Sequence, residues 1–191
     1  MGAILNTATA LLVIDVQKGF DDPSWGRRNN PSAEENISAL LAAWRVAELP
    51  IFHVRHLSTE PGSPLGGAGG VFKDAVRPLA HEPIIEKYVN SAFIGTDLET
   101  RLREEMLDTL VVTGLTTDHC VSTTTRMAAN LGFSAHIVSD ATATFDRIGP
   151  DGKFHTAEHV HEMALVHLHE EFARVVTTRN TLEKLQQPSP G

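Results

Sequence analysis

"TLVVTGLTTDHCVSTTTRMAANLG", residues 109–132, decides how this chain folds. Its first part is an apolar, β-branched run, and the residues from about Asp118 to Leu131 read as a helix closed by Gly132, so a strand passes directly into a helix. Cys120, the only cysteine, stands in that turn. It is either a small core residue or a nucleophile displayed between strand and helix.

The same strand-to-helix unit recurs on both sides. Toward the C-terminus, "SAHIVSDA" (134–141) predicts a fifth strand, "TAEHVHEMALVHLHEEF" (156–172) a helix and "ARVVTT" (173–178) a sixth strand. Toward the N-terminus, "ALLVID" (10–15) is an unbroken apolar run of the kind found in strands covered on both faces. "PSAEENISALLAAWRVAEL" (31–49) has helical spacing at Ile37, Leu40, Leu41 and Trp44, with Ser32 and Glu35 spaced as a capping box. "PIFHVRH" (50–56) and "EPIIEK" (82–87) predict strands two and three, and "TDLETRLREEM" (96–106) opens with a second box, Thr96 and Glu99. This alternation predicts an α/β fold of three layers, αβα, around a mostly parallel sheet of six strands in one domain. "GSPLGGAGG" (62–70) reads as a flexible loop, a flap beside the substrate or nothing functional, and "QQPSPG" (186–191) as a frayed tail.

The composition bounds the partners. A formal charge of -8 with acids and bases interspersed leaves no concentrated basic face for nucleic acid or an anionic membrane. One cysteine makes no internal disulfide, which points to a reducing, cytoplasmic setting. The N-terminal segment lacks a basic region and is interrupted by Asp15, so neither a signal peptide nor a span is expected, and Asn6 stands where a myristoylation motif after Gly2 wants Ser or Thr.

In doubly wound sheets, ligands gather outside the carboxyl ends of the strands. Asp15 ends the first strand, Lys87 ends the third and Cys120 comes after the fourth. Taken singly, each has a plain reading: a capping aspartate, a solvated lysine, a buried thiol. Together they are an acid, a cation and a nucleophile, the set a thiol needs to lose its proton and attack. A first-turn position would also place Cys120 where helix N–H groups favour the thiolate.

Here the chain resembles the isochorismatase-like cysteine hydrolases, a superfamily that includes nicotinamidases, N-carbamoylsarcosine amidohydrolase and ureidoacrylate amidohydrolase. "LLVIDVQKGF" (11–20), "EKYVNSAFIGTDL" (86–98) and "VVTGLTTDHCVSTTTRMAANLGF" (111–133) match its three signature segments in order, and "DATATFDR" (140–147) fits as well. The resemblance implies strand order 3-2-1-4-5-6, a catalytic triad of Asp15, Lys87 and Cys120, and a cis peptide between Leu115 and Thr116 that aims the N–H groups of Thr116 and Cys120 into an oxyanion hole. It implies hydrolysis of a C–N bond in a small amide, ureide or carbamoyl compound through a thioester, by a homodimer or homotetramer. The siderophore-pathway isochorismatases lack a cysteine at this position, so Cys120 argues against vinyl-ether hydrolysis, and the intact triad argues against a catalytically silent binding subunit.

No metal or other cofactor is expected. The nicotinamidase metal site uses an Asp-x-His pair after the second strand, whereas His53 and His56 of "IFHVRH" face opposite sides of a strand and the acidic partner is missing. "HTAEH" (155–159) matches a zinc-peptidase pattern in letters but reads as part of a His-rich surface helix. Gln17, Phe20, Trp25, His56, Tyr88, Asn90, Phe93, Thr117 and His119 flank the triad in sequence and are the candidates for substrate contact, the aromatic ones as an apolar wall or as core. The β-branched run in "VSTTTR" (121–126) implies packing against a neighbour.

Overall fold

The structure is a computed structural model and describes residues 8–185; the Gly2 and Asn6 motif positions and the 186–191 tail lie outside them. Six strands form one sheet: β1 (Thr9–Ile14), β2 (Ile51–His56), β3 (Ile84–Lys87), β4 (Thr109–Leu115), β5 (Ser134–Ala143) and, at the far edge, β8 (Arg174–Val176). Their order is β3-β2-β1-β4-β5-β8, and every neighbouring pair is parallel. This is the expected order. The edge strand is the eighth only because β6 (Arg147–Ile148) and β7 (Phe154–His155) form a short antiparallel hairpin that the sequence pattern does not announce. Two residues per strand carry too little periodicity to be read.

Alternation along the strands splits the core in two. Leu11 and Val13 of β1 point to a cluster with Ile37, Leu40, Leu41 and Trp44 of α1 (Ala33–Val46), against which Leu182 and Leu185 of α5 (Thr178–Leu185) also pack. Ala10, Leu12 and Ile14 point the other way, to Leu98 and Leu102 of α2 (Leu98–Glu104), Ala128 of α3 (Ser122–Asn130) and Leu168 of α4 (Ala157–Leu168). Both faces are covered, which is why β1 reads as a continuous apolar run. The terminal helix α5 went unread because its segment is mostly polar, with only Leu182 and Leu185 to mark the buried side.

Neither expected capping box forms. Ser32 is the residue before α1, but its backbone (φ -91, ψ 11) is not the extended conformation that presents a capping hydroxyl, and its side chain makes no cap bond. At α2 the flanking residue is Asp97, while the Thr96 hydroxyl donates to Ala92 O and accepts from Leu98 N. Side-chain caps stand instead at α4, where Thr156 Oγ1 accepts from His159 N, and at α5, where Thr177 Oγ1 accepts from Asn180 N.

The glycine-rich segment is seated against the body of the protein. Lys18 N donates to Val71 O and Lys73 N to Val16 O, which lays the segment along the chain leaving β1. Gln17 Nε2 donates to Gly70 O, and a Cβ on Gly19 would fall 2.2 Å from Pro64 O, so glycine permits the close approach of this segment to the chain leaving β1.

Candidate active site

The site begins with two backbone features at the ends of neighbouring strands. Gly114, paired with Ile14 across β1 and β4, has φ 119, and a Cβ there would lie 1.9 Å from Ile14 O. Only glycine lets the two strands approach so closely just before Asp15. Asp15 itself turns out of β1 in the left-handed region (φ 52), a conformation Asp tolerates better than most residues. Beyond it, the Gln17 amide accepts from His56 N (2.8 Å) and donates to His56 O (2.9 Å), so a side chain continues the β1–β2 ladder.

Lys87, the last residue of β3, brings the centre together. Its fully buried Nζ lies 2.6 Å from Asp15 Oδ2. It also lies 3.3 Å from Cys120 Sγ, 3.2 Å from His56 Nδ1 and 3.2 Å from Val89 O. Three residues distant in sequence thus meet around one ammonium. Cys120 sits in a wide π-helical turn, Thr117–Val121, in which His119 N and Val121 N both donate to Thr116 O. The Leu115–Thr116 peptide is cis.

Burial sets the charge states. Loss of water raises the Asp15 carboxyl above its ordinary 3.8, although Lys87 opposes the shift. Cys120 is pushed up to about 12, first by burial and then by the Asp15 carboxylate, with Lys87 pulling the other way. The sulfur at rest is a thiol. Burial and the Asp15 carboxylate thus oppose the ionisation that a helix N-terminus was expected to favour. With Lys87 Nζ 2.6 Å from Asp15 Oδ2 as an ammonium–carboxylate pair, passing the S–H proton to Asp15 leaves the total charge of the site unchanged. His56 is lowered to about 4 by burial and by the Lys87 ammonium, so it is neutral near pH 7. An ammonium has no lone pair, so Nδ1 is the acceptor and Nε2 carries the hydrogen.

Among the described residues, one group has metal-ligand chemistry: the donor atoms of Asp15, His56 and Cys120 all lie within 4.8 Å of one another. The cation within hydrogen-bond reach of all three is Lys87 Nζ. His53 points away, into a buried pair with Glu82 (2.9 Å) beside Phe72. In "HTAEH", His155 lies in β7 and stacks on His159 at the start of α4, while Glu158 pairs with Arg27.

A cavity of about 300 Å³ opens in front of Cys120. Of the candidates for substrate contact, Phe20, Trp25, His56, Tyr88, Asn90 and His119 line it, together with Thr116. Three candidates do not. Phe93 is buried in the core and stacks on Phe133, 5.9 Å between ring centroids. Thr117 is buried with its hydroxyl 2.9 Å from His161 Nδ1, and Gln17 is used up on the His56 backbone and Gly70 O. Adjacency in sequence had suggested these contacts, but successive residues leaving a strand point to different sides. Sequence reasoning missed Ser58, Thr59, Glu60, Ser63, Leu65 and Val89, which also line the cavity. The strand-end rule, applied to β2 as it was to β1, β3 and β4, would have found most of them. It also missed why "VSTTTR" is β-branched: Thr124 Oγ1 accepts from Ala92 N (3.0 Å) and donates to Asn90 O, fastening the segment just after Lys87.

Comparison with known proteins agrees with this fold. The family model described as "Isochorismatase domain" matches residues 9–180. The isochorismatase family protein YrdC of Bacillus subtilis is 47% identical over 171 residues, 88% of this chain and 91% of that protein. Nicotinamidase 3 of Arabidopsis thaliana is 30% identical over 182 residues, 87% and 83% of the two chains. The crystal structure of an isochorismatase-family protein from Chromobacterium violaceum superposes with a TM-score of 0.92 at 43% identity, covering 94% of each chain. With the family model spanning nearly the whole described chain and the sheet order to match, this protein belongs to the isochorismatase family of hydrolases.

Proposed function

We propose that this chain is a cysteine-dependent hydrolase of a C–N bond in a small amide, ureide or carbamoyl compound. The observation that carries the reading is the convergence of Asp15 Oδ2 and Cys120 Sγ on the buried Lys87 ammonium, with Cys120 lining a cavity. The likeness to a nicotinamidase supports amide chemistry.

In this mechanism Sγ attacks the substrate carbonyl carbon while Asp15 takes the thiol proton, for which its raised pKa suits it. Lys87 holds the carboxylate and sulfur in place. The carbonyl electrons move to oxygen, met by the N–H groups of Thr116 and Cys120; a donor of this kind contributes about 3–4 kcal/mol in comparable sites. Collapse expels ammonia or an amine with the proton from Asp15. Water then gives a proton back to Asp15, attacks the thioester and releases the acid, and the thiol is restored.

The test is ammonia release across a panel of small amides and ureides, with Cys120→Ala and Asp15→Asn as controls. The expected result is turnover by the wild type and none by either variant, with folding retained. Undiminished hydrolysis by the alanine variant, or release of pyruvate from a vinyl ether in place of ammonia, would refute the reading.

A further inference from the structure

We infer that the cavity admits uncharged amide-type substrates and turns away those bearing a carboxylate, with Glu60 setting the preference. The inference rests on the proposed function insofar as it takes the cavity before Cys120 as the substrate site.

The argument is one of charge and desolvation. None of the residues lining the cavity is Lys or Arg. The nearest cation, Lys87, is fully buried behind the sulfur and pairs with Asp15. His56 accepts from that ammonium and stays neutral near pH 7, so it offers one neutral N–H donor. The His119 imidazole lies 3.4 Å from the Asp118 carboxylate, which Arg147 also pairs with. Glu60 borders the cavity, and among the described residues it has no ion-pair partner. Part of the lining is apolar: Phe20 and Trp25 pack with ring centroids 5.1 Å apart, and Trp25 stacks on Phe145. A bound carboxylate would lose water here, gain no cation and face Glu60. A small neutral amide with a planar or apolar remainder loses little by the same move.

The test needs no knowledge of the natural substrate. Iodoacetamide and iodoacetate are nearly isosteric and differ by one charge, and Cys120 is the only thiol in the chain. In each reaction the Sγ–C bond forms as the C–I bond breaks, iodide leaves and the thiol proton passes to Asp15. Labelling of the native protein is monitored by mass spectrometry at pH 7 and low salt, and the ratio of the two rates is divided by the same ratio for 2-mercaptoethanol. The expected normalised preference for iodoacetamide is about threefold, vanishing in Glu60→Gln and inverting in Glu60→Lys, since Glu60 is an exposed charge at the cavity rim and acts through screening solvent. A normalised ratio of one or less in the wild type, or a ratio that neither variant moves, overturns the inference and leaves the proposed function standing. If neither reagent labels Cys120 until the protein is unfolded, the proposed function falls, and the inference with it.

Discussion

Replacing Lys87 by Met would strip the buried Asp15 carboxylate of its cation. At 2.6 Å and an effective dielectric of about 20, the lost attraction is about 6 kcal/mol. Asp15 escapes part of this by staying protonated, and linkage sets the cost of that route. Its folded pKa already lies above the ordinary 3.8 because of burial, and losing Lys87 removes the main influence that lowers it. A group whose folded pKa is raised destabilises the fold as pH climbs above the unfolded value, by up to about 1.4 kcal/mol per pH unit. Three units from pH 4 to pH 7 give about 4 kcal/mol, within the range expected for breaking a buried pair. Urea unfolding of Lys87→Met should therefore show a deficit near zero at pH 4 that grows with pH to at most about 4 kcal/mol at pH 7, less whatever the raised Asp15 carboxyl already costs the wild type. The double variant Asp15→Asn/Lys87→Met removes the stranded charge, and Asn tolerates the φ of 52 at that position. It should recover at least about half the loss and show no pH trend, with turnover absent throughout. A pH-independent deficit in Lys87→Met, or a double variant whose loss is the sum of the singles, would refute the reasoning that these two charges are one energetic unit.

Other outcomes rest on particular contacts. Gly114→Ala forces a Cβ against Ile14 O, so it should unfold the chain or lower its stability by at least about 3 kcal/mol in thermal melts; a change under about 1 kcal/mol would contradict the close approach of β1 and β4. Glu82 is buried, which alone would raise its pKa, yet Arg45, Leu79 N and His53 hold it at about 2 against an ordinary 4.5. Its stabilisation is complete above about pH 4.5 and is lost as pH falls to about 2. The gap between wild type and Glu82→Gln in acid titrations should thus be about 3 kcal/mol at pH 6 and close toward pH 2. Thr124→Val keeps the shape but leaves the buried Ala92 N–H without its acceptor, a cost of about 1–3 kcal/mol in denaturant unfolding. Because Thr124 also holds Asn90 O at the cavity, the variant should lose kcat/KM as well; unchanged kinetics would show that this fastening serves stability alone.

The sequence by itself determined the framework: the alternating strands and helices, the closure of α3 by Gly132, and the placing of Asp15, Lys87 and Cys120 at strand ends. These are local signals, since an apolar run or a helical stripe is written within a few consecutive residues. Their union in one site came from the resemblance in sequence and from the strand order in space. Only the tertiary structure decided that the sulfur rests as a thiol, because its pKa depends on burial and on a carboxylate carried by another strand. Packing decided in the same way that Phe93 belongs to the core while Glu60 borders the cavity, and that the glycine-rich segment is seated against Val16 and Lys18. Charge state and pocket membership are set by neighbours distant along the chain, and such neighbours leave no mark on the pattern of any one segment.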